Sequence, residues 1–177
     1  MATTSVLLSG FGGQGLLFAG KMLAYSGLME NKEVSWLPSY GPEMRGGTAS
    51  CSVVISDDPV GSPLVLEPDI LIAMNRPSFL KYIGTVKPGG IAIIDSTMVE
   101  DRPERDDISF YAVPATQLAQ DAGLKGLANV ILIGKLVKES GCVTPESLQA
   151  AVPKCVSAKR QELVGYNMQA LEIGQAQ

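Results

Sequence analysis

The run Val6-Leu7-Leu8 followed by "SGFGGQGLLFAG" at 9–20 limits the fold more than any other stretch. A short apolar run without alternation reads as a strand buried on both faces, and such strands belong to sheets covered by helices on both sides. The glycines behind it turn the chain sharply. Beyond them Leu16, Gly20, Leu23, Ala24, Gly27 and Leu28 form one stripe of a helix over 13–29, and the small residues in the stripe let it approach the sheet closely. Strand, glycine turn and helix in that order open an alternating α/β chain. Strands are expected over 5–9, 34–37, 50–56, 69–74, 91–95 and 108–113. Further helices are expected over 76–85, 115–122, 127–140, 145–152 and 156–173, with Pro77 and Pro145 near their starts and "KPGG" at 87–90 as a turn.

The fold class is therefore α/β: a Rossmann-like, three-layer α/β/α sandwich on a mostly parallel sheet of about six strands. Residues 38–49, with two prolines and three glycines, are too short and stiff for a helical crossover, which makes a mixed sheet the alternative to a wholly parallel one. With 177 residues and 46% hydrophobic content, residues 1–177 read as a single domain with a sizeable core.

Composition removes several functions. Apolar stretches such as "VILI" at 130–133 fall far short of a membrane span, and the N-terminus lacks a basic-then-apolar signal, so no membrane partner and a cytoplasmic location are expected. A net charge of −4 gives no general attraction to nucleic acid. The chain has no histidine, which takes away the commonest general base and metal ligand and rules out Ser-His triads. Cys51, Cys142 and Cys155 are far apart, with no C-x-x-C pair, and read as ordinary buried thiols. No catalytic residue and no metal ligand is assigned to this chain.

Gly10, Gly12 and Gly15 fit G-x-G-x-x-G, the spacing with which backbone N–H groups at a helix N-terminus approach a pyrophosphate. A dinucleotide fold then places an acid at the carboxyl end of its second strand. Glu30 and Glu33 have roughly the right spacing but precede that strand. Its carboxyl end leads instead into "LPSYGPEMRGGTASC" at 37–51, where Tyr40, Glu43 and Arg45 sit in a Gly/Pro-rich loop. This loop reads either as a contact surface or as one carrying a surface Glu43–Arg45 pair worth about 0–1 kcal/mol. Met44, apolar between two charges, favours the contact surface.

"GFGGQGLLFAGKMLA", "PSYGPEMRGGTASCSVVIS", "GSPLVLEPDILIAMN" and "LANVILIGKL" together resemble the gamma subunit of the 2-oxoacid:ferredoxin oxidoreductases. "PSYGPEMRGG" is more similar to the 2-oxoglutarate and branched-chain 2-oxoacid types than to the pyruvate type. The resemblance implies a subunit of an anaerobic enzyme that converts a 2-oxoacid and coenzyme A to acyl-CoA, CO2 and reduced ferredoxin. It implies alpha, beta and delta partner chains that carry thiamine diphosphate, magnesium and iron–sulfur clusters, with no cofactor in this chain. Gly12, Gly13, Gln14 and Gly15 match the family's glycine turn, and with Arg45 they form a candidate site for coenzyme A or for an interface. Tyr40, Gly41, Glu43, Arg45, Gly46 and Gly47 match its second loop and are candidate interface residues, as is Asn75, which either lines the same crevice or caps the next helix. The interface role is the favoured one, and self-association of the isolated chain is expected. The alternatives are a free-standing NAD-linked enzyme and a regulatory binding module.

Overall fold

β1 (Thr3–Phe11) runs through the middle of the sheet with Val6, Leu7 and Leu8 buried, as an apolar run without alternation requires. The computed structural model describes residues 2–39 and 48–177. After β1 come α1 (Leu16–Met29), β2 (Glu33–Ser39), β3 (Thr48–Ser56), β4 (Ile70–Ala73) and α2 (Arg76–Tyr82), which runs into a 3-10 turn. They are followed by β5 (Ile91–Asp95), β6 (Ser109–Val113), α3 (Ala115–Asp121), α4 (Ala128–Ser140), α5 (Pro145–Cys155) and α6 (Leu163–Gln175). The strand order is β2-β3-β1-β4-β5-β6. β1, β4, β5 and β6 are parallel, while β3 runs against both β1 and β2. The sheet is mixed, because β2 and β3 pair antiparallel, as expected of strands separated by too few residues for a helical crossover.

Alternate residues divide the core in two. Val6, Leu8, Val53, Ile55, Ile72 and Ile93 face the larger layer built by α1, α3, α4, α5 and α6. Gly20 and Gly27 lie against Cys51, Val34 and Ile55, so α1 packs closely on β2 and β3. Leu7, Val54, Leu71, Ala73, Ala92 and Ile94 face the other way, toward Phe79 of α2 and the loop residues Val65, Val86 and Val99. The α/β class is as expected, but this second layer is thin. α2 lies over β1 and β4, and the segment between β3 and β4 docks on β3 through Val65.

Strand ends shift by one or two residues, α2 gives way to the 3-10 turn after Tyr82, and three other helices differ from expectation. α1 begins at Leu16, because Gly15 takes the left-handed conformation (φ +74°) that ends the turn. Its buried stripe is rotated toward Met22 and Ser26, whose hydroxyl donates to the Met22 carbonyl at 2.7 Å, and Leu28 is left 54% exposed at the far edge. α5 passes through Pro153 and ends at Cys155: the proline is on the exposed side, and Gln149, whose carbonyl loses its partner there, faces water. The helix expected over 156–173 is a 3-10 turn at Ala158–Arg160, capped by Ser157, followed by α6.

Candidate functional site

Gly12, Gly13, Gln14, Gly15 and Asn75 lie just beyond the ends of β1 and β4, which run side by side with Ser9 opposite Ala73. From there β1 leads into α1 on one face of the sheet and β4 into α2 on the other, so a crevice opens between the two strand ends. Open α/β sheets place their ligands at such switch points. Here the chain fills the crevice itself. The Phe11 N–H donates to Gln14 Oε1 at 2.6 Å, and Gln14 Nε2 donates to the Met74 carbonyl at 3.1 Å, so one carboxamide joins both strand ends. A side chain at Gly10 would collide with that carboxamide and approach Met74 Cβ to 3.1 Å. The Gly15 carbonyl accepts from Asn129 Nδ2 at 2.9 Å, which fastens the turn to α4.

Two further polar residues brace this end of the sheet. Asn75 is buried, and its Oδ1 accepts the Ser78 N–H at 2.8 Å, so it caps α2. Of its two sequence readings, capping is the one with a hydrogen bond. Asp95, at the end of β5, is fully buried and was not singled out from the sequence. Its carboxylate accepts the N–H groups of Thr97 and Thr116 at 3.1 and 3.2 Å and the Thr116 hydroxyl at 2.5 Å. An acid that ends an apolar run, as in "IAIID", was the available signal. Thr116 then joins Gly13, Gln14, Met74, Gln120 and Lys125 around a cavity of about 390 Å3 on the α1 side. Asn75 is not in its wall.

Tyr40, Gly41, Glu43, Arg45, Gly46 and Gly47 lie outside the described residues. Their flanks are placed: Thr48 pairs with Phe11, and Ser39 with Ser50. Ser39 and Thr48, the described residues on either side of the second motif, therefore lie at the end of the sheet that carries the glycine turn.

The residues do not fit a resident cluster or nicotinamide cofactor. Cys51, Cys142 and Cys155 are buried and unpaired. Burial pushes the Cys51 thiol up to about 12 and the Cys155 thiol to about 11, and raises that of Cys142, whereas metal ligation needs thiolate. No group of three or more His, Cys, Asp or Glu among the described residues could hold a metal ion. Glu33 opens β2 instead of ending it, and Glu30 accepts the Thr144 N–H at 2.6 Å, which commits it to the start of α5. No helix among the described residues is long and apolar enough to cross a membrane.

A family model, pyruvate ferredoxin/flavodoxin oxidoreductase, matches residues 5–177. The chain belongs to this family. It is 37% identical over 160 residues to the 2-oxoglutarate synthase subunit KorC of Methanocaldococcus jannaschii, covering 89% of this chain and 86% of KorC. It is 39% identical over 170 residues to the ketoisovalerate oxidoreductase subunit VorA of Methanothermobacter marburgensis. That match covers 96% of this chain but 35% of VorA, so the chain spans only a part of that longer relative. The gamma subunit of a keto/oxoacid ferredoxin oxidoreductase from Geobacter sulfurreducens superposes with a TM-score of 0.84 at 29% identity, covering 97% of this chain and 95% of the other. In extent and fold the chain corresponds to a gamma subunit of these oxidoreductases, and the free-standing NAD-linked alternative has no support.

Proposed function

We propose that the chain serves as the gamma subunit of a cytoplasmic, multi-subunit 2-oxoacid:ferredoxin oxidoreductase acting on 2-oxoglutarate or a branched-chain 2-oxoacid, with 1–177 working as one domain. The observation that carries this reading is the near full-length match to KorC. The chain's chemistry supports a non-autonomous role, since it has no histidine and its thiols are buried and held protonated. Thiamine diphosphate with magnesium, on alpha and beta chains, supplies the electron sink for decarboxylation, and iron–sulfur clusters on beta and delta chains carry electrons to ferredoxin.

This chain's part is to shape and support the partners' site with one end of its sheet. Gly12, Gly13, Gln14 and Gly15 form a turn that its own hydrogen bonds already close. That favours an interface over a pyrophosphate cradle. Tyr40, Gly41, Glu43, Arg45, Gly46 and Gly47 extend the same surface in sequence, and Arg45 is the group to meet an anion, either a partner carboxylate or coenzyme A as it enters. Asn75 supports the surface from beneath by holding the start of α2.

The test is 2-oxoacid- and coenzyme-A-dependent reduction of a viologen dye by the lone chain, by the partner chains without it, and by the full set. Activity is expected only in the full set. Turnover by this chain alone, or undiminished activity without it, overturns the reading.

A further inference from the structure

A groove of about 510 Å3 lies away from the candidate site, at the opposite end of β1. Thr3, Ser5, Val54 and Ser56 form its sheet side, and residues 58–67, between β3 and β4, form the other. This segment is fastened down. The Asp58 N–H donates to Ser56 Oγ at 3.1 Å, the Val65 N–H to the buried Ser52 Oγ at 3.3 Å, and the Lys87 N–H to the Pro68 carbonyl at 3.0 Å. With Val65 pinned inward, its neighbours are held outward: Leu64 is 54% and Leu66 70% exposed. Leu37 of β2 is 36% exposed and pairs with Ser52, so its side chain stands on the face where Val65 docks. On the opposite face α1 covers these two strands, whereas here no helix among the described residues does so.

We propose that this half-covered face docks a partner subunit of the same oxidoreductase through an apolar segment flanked by lysine or arginine. The inference rests on the subunit reading above. A sheet face is stable when a second layer covers it, and this segment cannot fold its leucines under without breaking the hydrogen bonds that fasten it. The sign of the partner's charge is set by the rim. Asp58 and Glu67 line the groove with no ion-pair partner among the described residues, and the one cation there, Lys87, is neutralised by Asp69 at 3.0 Å. Acidic edges around an apolar strip repel an identical acidic strip, which disfavours a second copy of this chain and favours a basic-flanked one.

The test reconstitutes the complex from separately purified subunits, identified beforehand by co-purification with the tagged wild-type chain from its native host. Leu64→Ser combined with Leu66→Ser is expected to weaken assembly about 30-fold, as for a pair of buried anchors. Glu67→Lys with Asp58→Lys is expected to weaken it about tenfold and to flatten its salt dependence. Leu28→Ser, an equally exposed leucine on α1, is expected to leave assembly unchanged, and thermal melts establish that each variant is folded. Wild-type assembly with unchanged affinity in both double variants overturns the docking surface and leaves the subunit reading standing. Loss of concentration-dependent self-association in the leucine variant, with subunit assembly intact, assigns the face to a second copy and also overturns the proposal. A wild-type chain that assembles with no subunit overturns both readings.

Discussion

Gly174→Ala offers the sharpest test of how the larger helical layer is held. α4 and α6 cross backbone to backbone. A Cβ at Gly174 would lie 2.9 Å from the Ile131 carbonyl carbon and 3.0 Å from the Lys135 amide nitrogen, and it would overlap the Ile131 carbonyl oxygen. Gly134 faces the Leu171 backbone in the same way. No flexible side chain can yield at either point, so the helices must separate around Ile131, Ala170 and Leu171, all buried. Overpacking costs about 1–3 kcal/mol, and a backbone obstacle places this case near about 3. Alanine recovers about 1 kcal/mol of helix propensity over glycine, leaving a net loss of about 2 kcal/mol. For a chain of this size the melting temperature should fall by about 4–8 °C. Gly165, in the same helix, has open space around its Cβ position, so Gly165→Ala should gain about 0.5–1 kcal/mol and melt slightly higher. Both variants are read by thermal and chemical denaturation of the full chain. A Gly174→Ala protein that melts at or above wild type refutes the close crossing.

Two other outcomes arise from the electrostatics. Asp69 is partly buried, which by itself raises its pKa, but bonds from the Ser5 N–H and hydroxyl, both at 2.8 Å, and from Lys87 outweigh burial and hold it below its ordinary 3.8. Because the folded value is the depressed one, its contribution is present above pH 3.8 and is lost as pH falls through the lower folded pKa; Asp69→Asn should reduce stability at neutral pH and flatten the acid side of the stability profile in urea titrations at stepped pH. The three buried thiols, raised by burial, should resist a thiol reagent at pH 8 in the native protein and all react in denaturant; rapid labelling of native Cys51 would contradict its placement between β3 and α1.

Much of the fold was legible in the sequence because local signals and tertiary needs agreed. Six apolar runs became six strands, and Pro77 and Pro145 stand in the first turns of α2 and α5. The short, stiff link after β2 pointed to the reversal of β3. Other features depend on partners distant in sequence. Leu28 looked like core, but the hydrogen bond from Ser26 to Met22 lets a serine go inside and turns the stripe away from the leucine. The helix expected over 145–152 runs on through Pro153, because the proline is on the exposed side and leaves little to lose. At the candidate site the glycines announced a tight turn, while the group that closes it, the Gln14 carboxamide, spans two strands whose adjacency the sequence does not state. Asp95 was missed for the same reason, since two of its three bonds come from Thr116, on a helix beyond the next strand.

The reversed strand has a consequence for how such a subunit can diversify. β3 is held by nine paired positions to β1 and seven to β2, so its register is insensitive to what happens between Ser39 and Thr48. The entropy of closing a loop rises slowly with length, by about 0.6 kcal/mol for each doubling. Changes in the length of the segment from 40 to 47 therefore cost little closure entropy and leave the β3 register held by its two neighbours, which lets the motif-bearing segment change between subunit types while the sheet stays the same.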